Sequence, residues 1–354
     1  MRQSLVLVLA SAGLIACSRD TSRETAMRSS LTAIASALET TTYPRPVSRG
    51  RTGFPGRFGD HFFAKATERA ALEAAKGSLE GCARRLSTSK SASDASGPEC
   101  VDLARLAGAA DALLDLGRSE EGGAPIGAGP FQTKTSESLV KPLLALCHHS
   151  AASVLADTLG GRADAAASRC SATMEVMRDF AYGGTVLATT GASSCVEAMA
   201  DPCRVALEAT TADAKAKRRA DLAAVAASMP PFADAVLAEM VRIELETCGA
   251  LLGPTERDRL GPRARAVVAQ SDRDREALPA RERSMHVQLC LEAHQARTLV
   301  VEVHRAAKGS PERAKAAAAY QEHARKMAVA PPSFEEYERR YDVAKGILEA
   351  LGRP

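Results

Sequence analysis

His286, Cys290 and His294 recur at every fourth position, a spacing that puts all three on one face of a helix. His304 lies about five full turns beyond His286 and returns to the same azimuth. Imidazole and thiolate side chains at this spacing chelate transition metals. Three successive turns of one helix do not surround a single ion, however, and a disulfide is the better use of Cys290. We therefore read a polar helix face with a bridge in its middle, and keep His286 and His294 as an alternative metal pair. Cys147-His148-His149 is a second set, a thiol beside imidazoles. Nucleophilic use needs a free thiolate and a converging base, whereas adjacent helical residues diverge by about 100°.

Other chemical signatures are missing from the sequence. It holds no Gly-x-Ser-x-Gly elbow, phosphate-cradling Gly-Lys-Ser/Thr loop, His-Glu-x-x-His or Asp-x-Asp calcium loop. Gly122-Gly123 with Gly127 and Gly129 follow no strand signal, so they do not make a nucleotide site. The charges from Arg257 to Arg283 alternate in sign, as on a solvated, salt-bridged face. No cofactor is expected. The balance leans away from an enzyme, whose titratable cluster would be visible only in three dimensions.

Nine cysteines are present, among them Cys17. The other eight are Cys82, Cys100, Cys147, Cys170, Cys195, Cys203, Cys248 and Cys290, an even set that predicts four disulfides in an exported chain. Connectivity does not follow from spacing. A sequential pattern is attractive: Cys82–Cys100 across a Ser-rich linker, Cys147–Cys170 across the Gly160-Gly161 hairpin, and Cys248–Cys290 around a longer loop. Cys195 and Cys203 would lie about 12 Å apart on one straight helix, beyond disulfide reach. Asp201-Pro202 is expected to break that helix and let them approach.

The N-terminus begins with Arg2, then an apolar run from Leu5 to Ile15, then Leu14-Ile15-Ala16-Cys17. The run is too short to span a bilayer core, which takes roughly 20 apolar residues. Leu-Ile-Ala-Cys with this preamble resembles the lipobox of bacterial lipoprotein signal peptides. The resemblance covers residues 1–17 only. It implies diacylglyceryl transfer to the Cys17 thiol, removal of residues 1–16, and acylation of the new amine. Ser18 in place of an Asp after the cysteine points, on this resemblance, to the outer membrane. No family resemblance is found for the mature chain.

The elements that must position these residues read as helices. Alanine fills roughly one position in five and is the strongest helix former, while aromatics make up only 4% and Trp is absent. Few aromatics give no stacking platform for single strands. The net charge of +3 is dispersed, so nucleic acid is not expected as a partner. Met27, Leu31, Ile34 and Leu38 stripe a helix over about 23–39, and 17–59 as a whole reads as lipid anchor and tether. Pro44, Pro46, Gly50, Gly53, Pro55 and Gly56 make its second part a loop. Beyond it, helices are expected over 60–86, from Pro98 to Gly117, from Ser136 to Gly160, and from Ala280 to Lys308. Ser310-Pro311 and Ser333-Phe334-Glu335-Glu336 read as caps. No β alternation persists.

The expected fold is all-α: an antiparallel multi-helix bundle of about ten helices stapled by disulfides over residues 60–354. It has possible breaks near 184 or 253. No fixed 30–45-residue repeat is present, which lowers a stacked solenoid without removing it. The function expected is a membrane-tethered, non-catalytic interaction or structural protein of the bacterial cell envelope. It is anchored through Cys17 and faces the periplasm or the surface. It takes a protein partner, with loops 43–59 and 119–135 as the contact choices. The alternative is a ligand or metal binder with a cavity between helices.

Overall fold

The computed structural model describes residues 21–41, 54–124, 131, 137–327 and 333–353. Cys17 and the signal segment lie outside the described residues, as does most of both loops expected to make contacts.

The protein is an all-α, antiparallel multi-helix bundle. In chain order, α1 (Thr21–Thr40) precedes strand β1 (Phe54–Arg57) and three short helices, α2 (Phe58–Ala64), α3 (Ala66–Ala74) and α4 (Lys76–Thr88). A 3-10 turn at Pro98–Cys100 leads into α5 (Val101–Arg105) and α6 (Ala107–Leu114), followed by β2 (Ser119–Glu121). The long helices are α7 (Glu137–Leu159), α8 (Ala163–Ala181), α9 (Val186–Ala209), α10 (Ala212–Ala227) and α11 (Phe232–Cys248). Then come α12 (Pro254–Asp258), α13 (Pro262–Glu276), α14 (Ala280–Arg305), α15 (Pro311–Lys326) and α16 (Glu335–Gly352).

These sixteen helices among the described residues exceed the expected ten, in part because 60–86 is cut at Lys65 and Ala75 into three pieces and the segment from Pro98 to Gly117 at Leu106 into two. The two strands form a parallel pair, Phe54 opposite Ser119 and Arg57 opposite Glu121. That contact was not signalled by alternation, being only three or four residues long.

The main core is built on α7, α8 and α9. Leu143, Leu146, Val154, Met174, Met177, Phe180, Val196 and Met199 are fully buried there. Phe58 and Phe62 bring α2 against Phe180, the Phe62 and Phe180 rings meeting edge to face at 4.9 Å. The same core continues through Leu222, Val236, Val300, Ala344 and Leu348, so apolar packing runs across positions 184 and 253 alike.

A second core joins α1 to α11, α13 and α14. Met27, Leu31 and Ala35 are fully buried against Val241, Leu245, Val267 and the Cys248–Cys290 pair. Burying each Leu or Met is worth roughly 1.5–3 kcal/mol. Residues 21–40, expected to belong to a tether, thus form an integral helix of the body.

The disulfide pattern corrects the sequential expectation in its middle. Cys82–Cys100 and Cys248–Cys290 pair as expected. Cys147 pairs with Cys195, and Cys170 with Cys203. The reason is that α9 runs unbroken through Pro202, which is buried inside it. An interior proline costs about 3 kcal/mol, but α9 is packed on α7, α8 and α16 along its length. Held on one continuous helix, Cys195 and Cys203 cannot reach each other, and each bridges to a different neighbour. The Ser333 capping box is likewise not formed. The cap position of α16 is Phe334, in the left-handed region at φ 58° and without a side-chain cap. Ser310, in contrast, accepts from the Arg313 N–H, with Pro311 at the first helical position as expected.

Candidate functional site

Charged residues placed in register with apolar stripes create three buried ionic clusters. On α11, Val236, Met240, Glu244 and Cys248 follow one another at i+4, so Glu244 is carried into the core, 1% exposed. An ionised side chain there requires compensation. Arg297 of α14, 3% exposed, supplies it, with Nε 2.7 Å from Glu244 Oε2. His294 Nδ1 lies 3.0 Å from Glu244 Oε1 and equally close to Arg297 Nη2. A carboxylate only accepts, so we assign the Nδ1 proton as donated to Glu244. Arg297 Nη2 donates to Ser30 Oγ of α1 at 3.1 Å. Burial draws the Arg297 pKa down from the usual guanidinium value, and the charge of Glu244 opposes it. A serine, a histidine and a glutamate therefore share one cluster. A hydrolytic relay needs the ring between hydroxyl and acid, whereas here the Ser30 hydroxyl is engaged by Arg297. The cluster joins α1, α11 and α14.

The second cluster clamps α16. Arg313 of α15 grips Glu338 bidentately, Nη1 on Oε1 at 3.0 Å and Nη2 on Oε2. His304 of α14 places Nδ1 3.2 Å from Glu338 Oε2 and Nε2 2.8 Å from the Ser333 carbonyl. Burial alone would raise the Glu338 pKa. Hydrogen bonds from His304 and Arg313, with their charges, outweigh it and hold the carboxyl at about 2. Phe232 packs edge-on against the His304 ring at 5.4 Å. Tyr341 donates to the Pro230 carbonyl, and burial pushes its phenol pKa upward.

The third lies at the end of α8, where Cys170, Met174 and Arg178 again fall at i+4. Arg178 and Asp179 are both buried and 3.1 Å apart. The guanidinium sits over the Tyr182 ring at 4.3 Å, a cation–π geometry. Gly122 passes so close that a Cβ there would collide with both charged groups.

The histidines singled out from sequence are separated. His286 Nε2 lies 2.6 Å from the Thr247 carbonyl, which only accepts, so the ring donates there, and burial lowers its pKa. His294 belongs to the Glu244 cluster, and Cys290 between them is bridged to Cys248. Among the described residues no group of three or more His, Cys, Asp or Glu side chains could hold a metal ion. His148 and His149 diverge, His148 toward Glu80 at 4.0 Å and His149 inward to the Leu103 carbonyl at 3.0 Å. Burial lowers both their pKa values. Cys147, bonded to Cys195, has no thiolate to offer.

Sequence reasoning missed Glu244, Arg297, Glu338, Arg313, Arg178 and Asp179. The usable signal was a lone charge in step with an apolar stripe, legible for Glu244 and Arg178; the partners of Glu244 come from a distant helix, that of Arg178 is the next residue, Asp179. No single helix among the described residues is long and apolar enough to cross a membrane. The chain matches no family model, no curated protein and no solved structure.

Proposed function

We propose that this chain is a lipid-anchored, non-catalytic helical protein of a bacterial cell envelope, held through Cys17 on the outer membrane and presenting its helical surface to a protein partner. The observation that carries the reading is Leu14-Ile15-Ala16-Cys17 at the end of a short apolar run behind Arg2. Two features of the body support it. Eight cysteines paired at disulfide distance suit a compartment outside the reducing cytoplasm. Two of the three buried ionic clusters commit their charges between helices, α11 to α14 and α14 and α15 to α16, which is what a scaffold needs. Several acyl chains on Cys17 would anchor the protein stably, as a single one would not.

The test is expression of the full chain in a bacterium, followed by membrane fractionation and mass spectrometry of the N-terminal peptide. The expected product begins at Cys17, carries diacylglyceryl and N-acyl mass, and sediments with outer-membrane vesicles. Cys17→Ser should move it to the soluble fraction. A chain that keeps residues 1–16, or begins at an unacylated Cys17, overturns the reading.

A further inference from the structure

We infer that the folded body rests directly against the lipid headgroups, with the N-terminal end of α1 and the neighbouring α12 facing the bilayer, rather than being held away on a tether. The inference rests on the Cys17 anchor proposed above and adds where the body stands. Four peptide links separate Cys17 from Thr21, the first residue of α1. Fully extended, they reach at most about 14 Å. A free segment over 17–59 would instead allow separations on the order of 100 Å.

What decides between them is the docking of α1. Met27, Leu31 and Ala35 are buried in the second core. Arg297 donates to Ser30 at mid-helix. At the far end the Glu39 carboxylate accepts from the backbone N–H groups of Arg263 and Ala264, in the first turn of α13. There it complements the positive helix end. Nearer the anchored end, Arg28 lies 3.8 Å from Glu256 of α12. A lipid on Cys17 therefore pulls on a helix fixed along its length, and the body follows.

The surface at that end suits headgroups rather than acyl chains. Ser22, Arg23 and Thr25 of α1 are exposed, as are Thr255 of α12 and Arg259 at its C-cap. None of the exposed large apolar side chains of the described residues lies on α1 or α12. Contact at headgroup level, without insertion, is what such a polar surface supports.

Neutron reflectometry tests this on the mature, lipidated full chain in a supported bilayer of phosphatidylethanolamine and phosphatidylglycerol. The protein layer is expected to begin at the headgroups, with no more than about 15 Å of water between them. Inserting about twenty Gly/Ser residues between Asp20 and Thr21 leaves the docked helix intact, and should lift the layer by roughly 25 Å. A wild-type layer already separated from the headgroups by several tens of ångströms of water overturns the inference, whatever the insertion does to its height. Failure of the anchor itself looks different: the protein washes off in high salt and its N-terminal peptide lacks acyl mass.

Discussion

The two cores of this molecule are secured by different means. In the first, α7, α8 and α9 bury an apolar interior and are cross-linked by Cys147–Cys195 and Cys170–Cys203. In the second, Cys248–Cys290 joins α11 to α14, but α1 enters without any covalent link. It is held by three buried apolar side chains and by charges: Ser30 to the Glu244–Arg297 pair, Glu39 to the start of α13, Arg28 to Glu256. The difference teaches where the protein is adjustable. Covalent staples act on the unfolded state and ignore pH; ionic contacts and a single docked helix respond to single substitutions. The adjustable core is the one that carries the chain toward Cys17.

The largest expected effect comes from breaking the charge pair of the second core. Glu244→Ala leaves Arg297 buried without a counter-charge and should cost about 3–5 kcal/mol in denaturant unfolding. Glu244→Leu combined with Arg297→Met should recover most of the loss, since a packed apolar pair replaces a desolvated ionic one. If the double variant is no more stable than Glu244→Ala, the pair is not the source of the loss.

Leu31→Ala should cost about 2–5 kcal/mol through the cavity it leaves. Its mark is spatial: hydrogen exchange should accelerate over 21–40 while α7–α9 stays protected. Uniform acceleration would erase the contrast between the cores. Removing one bridge of the first core by Cys147→Ala with Cys195→Ala should cost about 2–4 kcal/mol, with α1 protection unchanged. Glu39→Gln, which weakens a backbone-capping carboxylate, should cost about 1 kcal/mol, read as a small shift in α1 exchange.

A pH series probes the ionic contact that the first core does contain, at α16. The Glu338 carboxyl is held at about 2 in the folded protein, against an ordinary value of 4.5. Because the folded value is depressed, the stabilisation is fully present above about pH 4.5 and is lost as pH falls toward 2. Denaturation midpoints should fall through that window, and Arg313→Met should flatten the fall. The same slope in both proteins would contradict the assignment to this carboxylate.

Much of the helical body was legible, because alanine-rich stripes bounded by Gly and Pro state both period and limits. Ser136 to Gly160 became α7, Ala280 to Lys308 became α14, and the Ser310-Pro311 start was read correctly. What failed depended on tertiary context. Pro202 signals a break, yet neighbours on three sides keep α9 continuous, and that single fact redirects two disulfides. Met27, Leu31, Ile34 and Leu38 marked a helix, but not that its stripe had a core to enter. Glu244 and Arg178 were visible as charges in apolar register; Arg297, forty or more residues from its carboxylate partner, was not. Phe334 in a left-handed cap left no trace, since its Ser-x-x-Glu context spells an ordinary capping box.

Hydrogen exchange by mass spectrometry on the full chain tests most directly the claim that α1 belongs to the folded body. The account predicts that amides of 25–40 are protected to the same degree as those of α11 and α14, on which α1 packs. Exchange over 25–40 at the rate of an unstructured peptide, with α11 and α14 still protected, would contradict it and return residues 17–59 to the status of a tether.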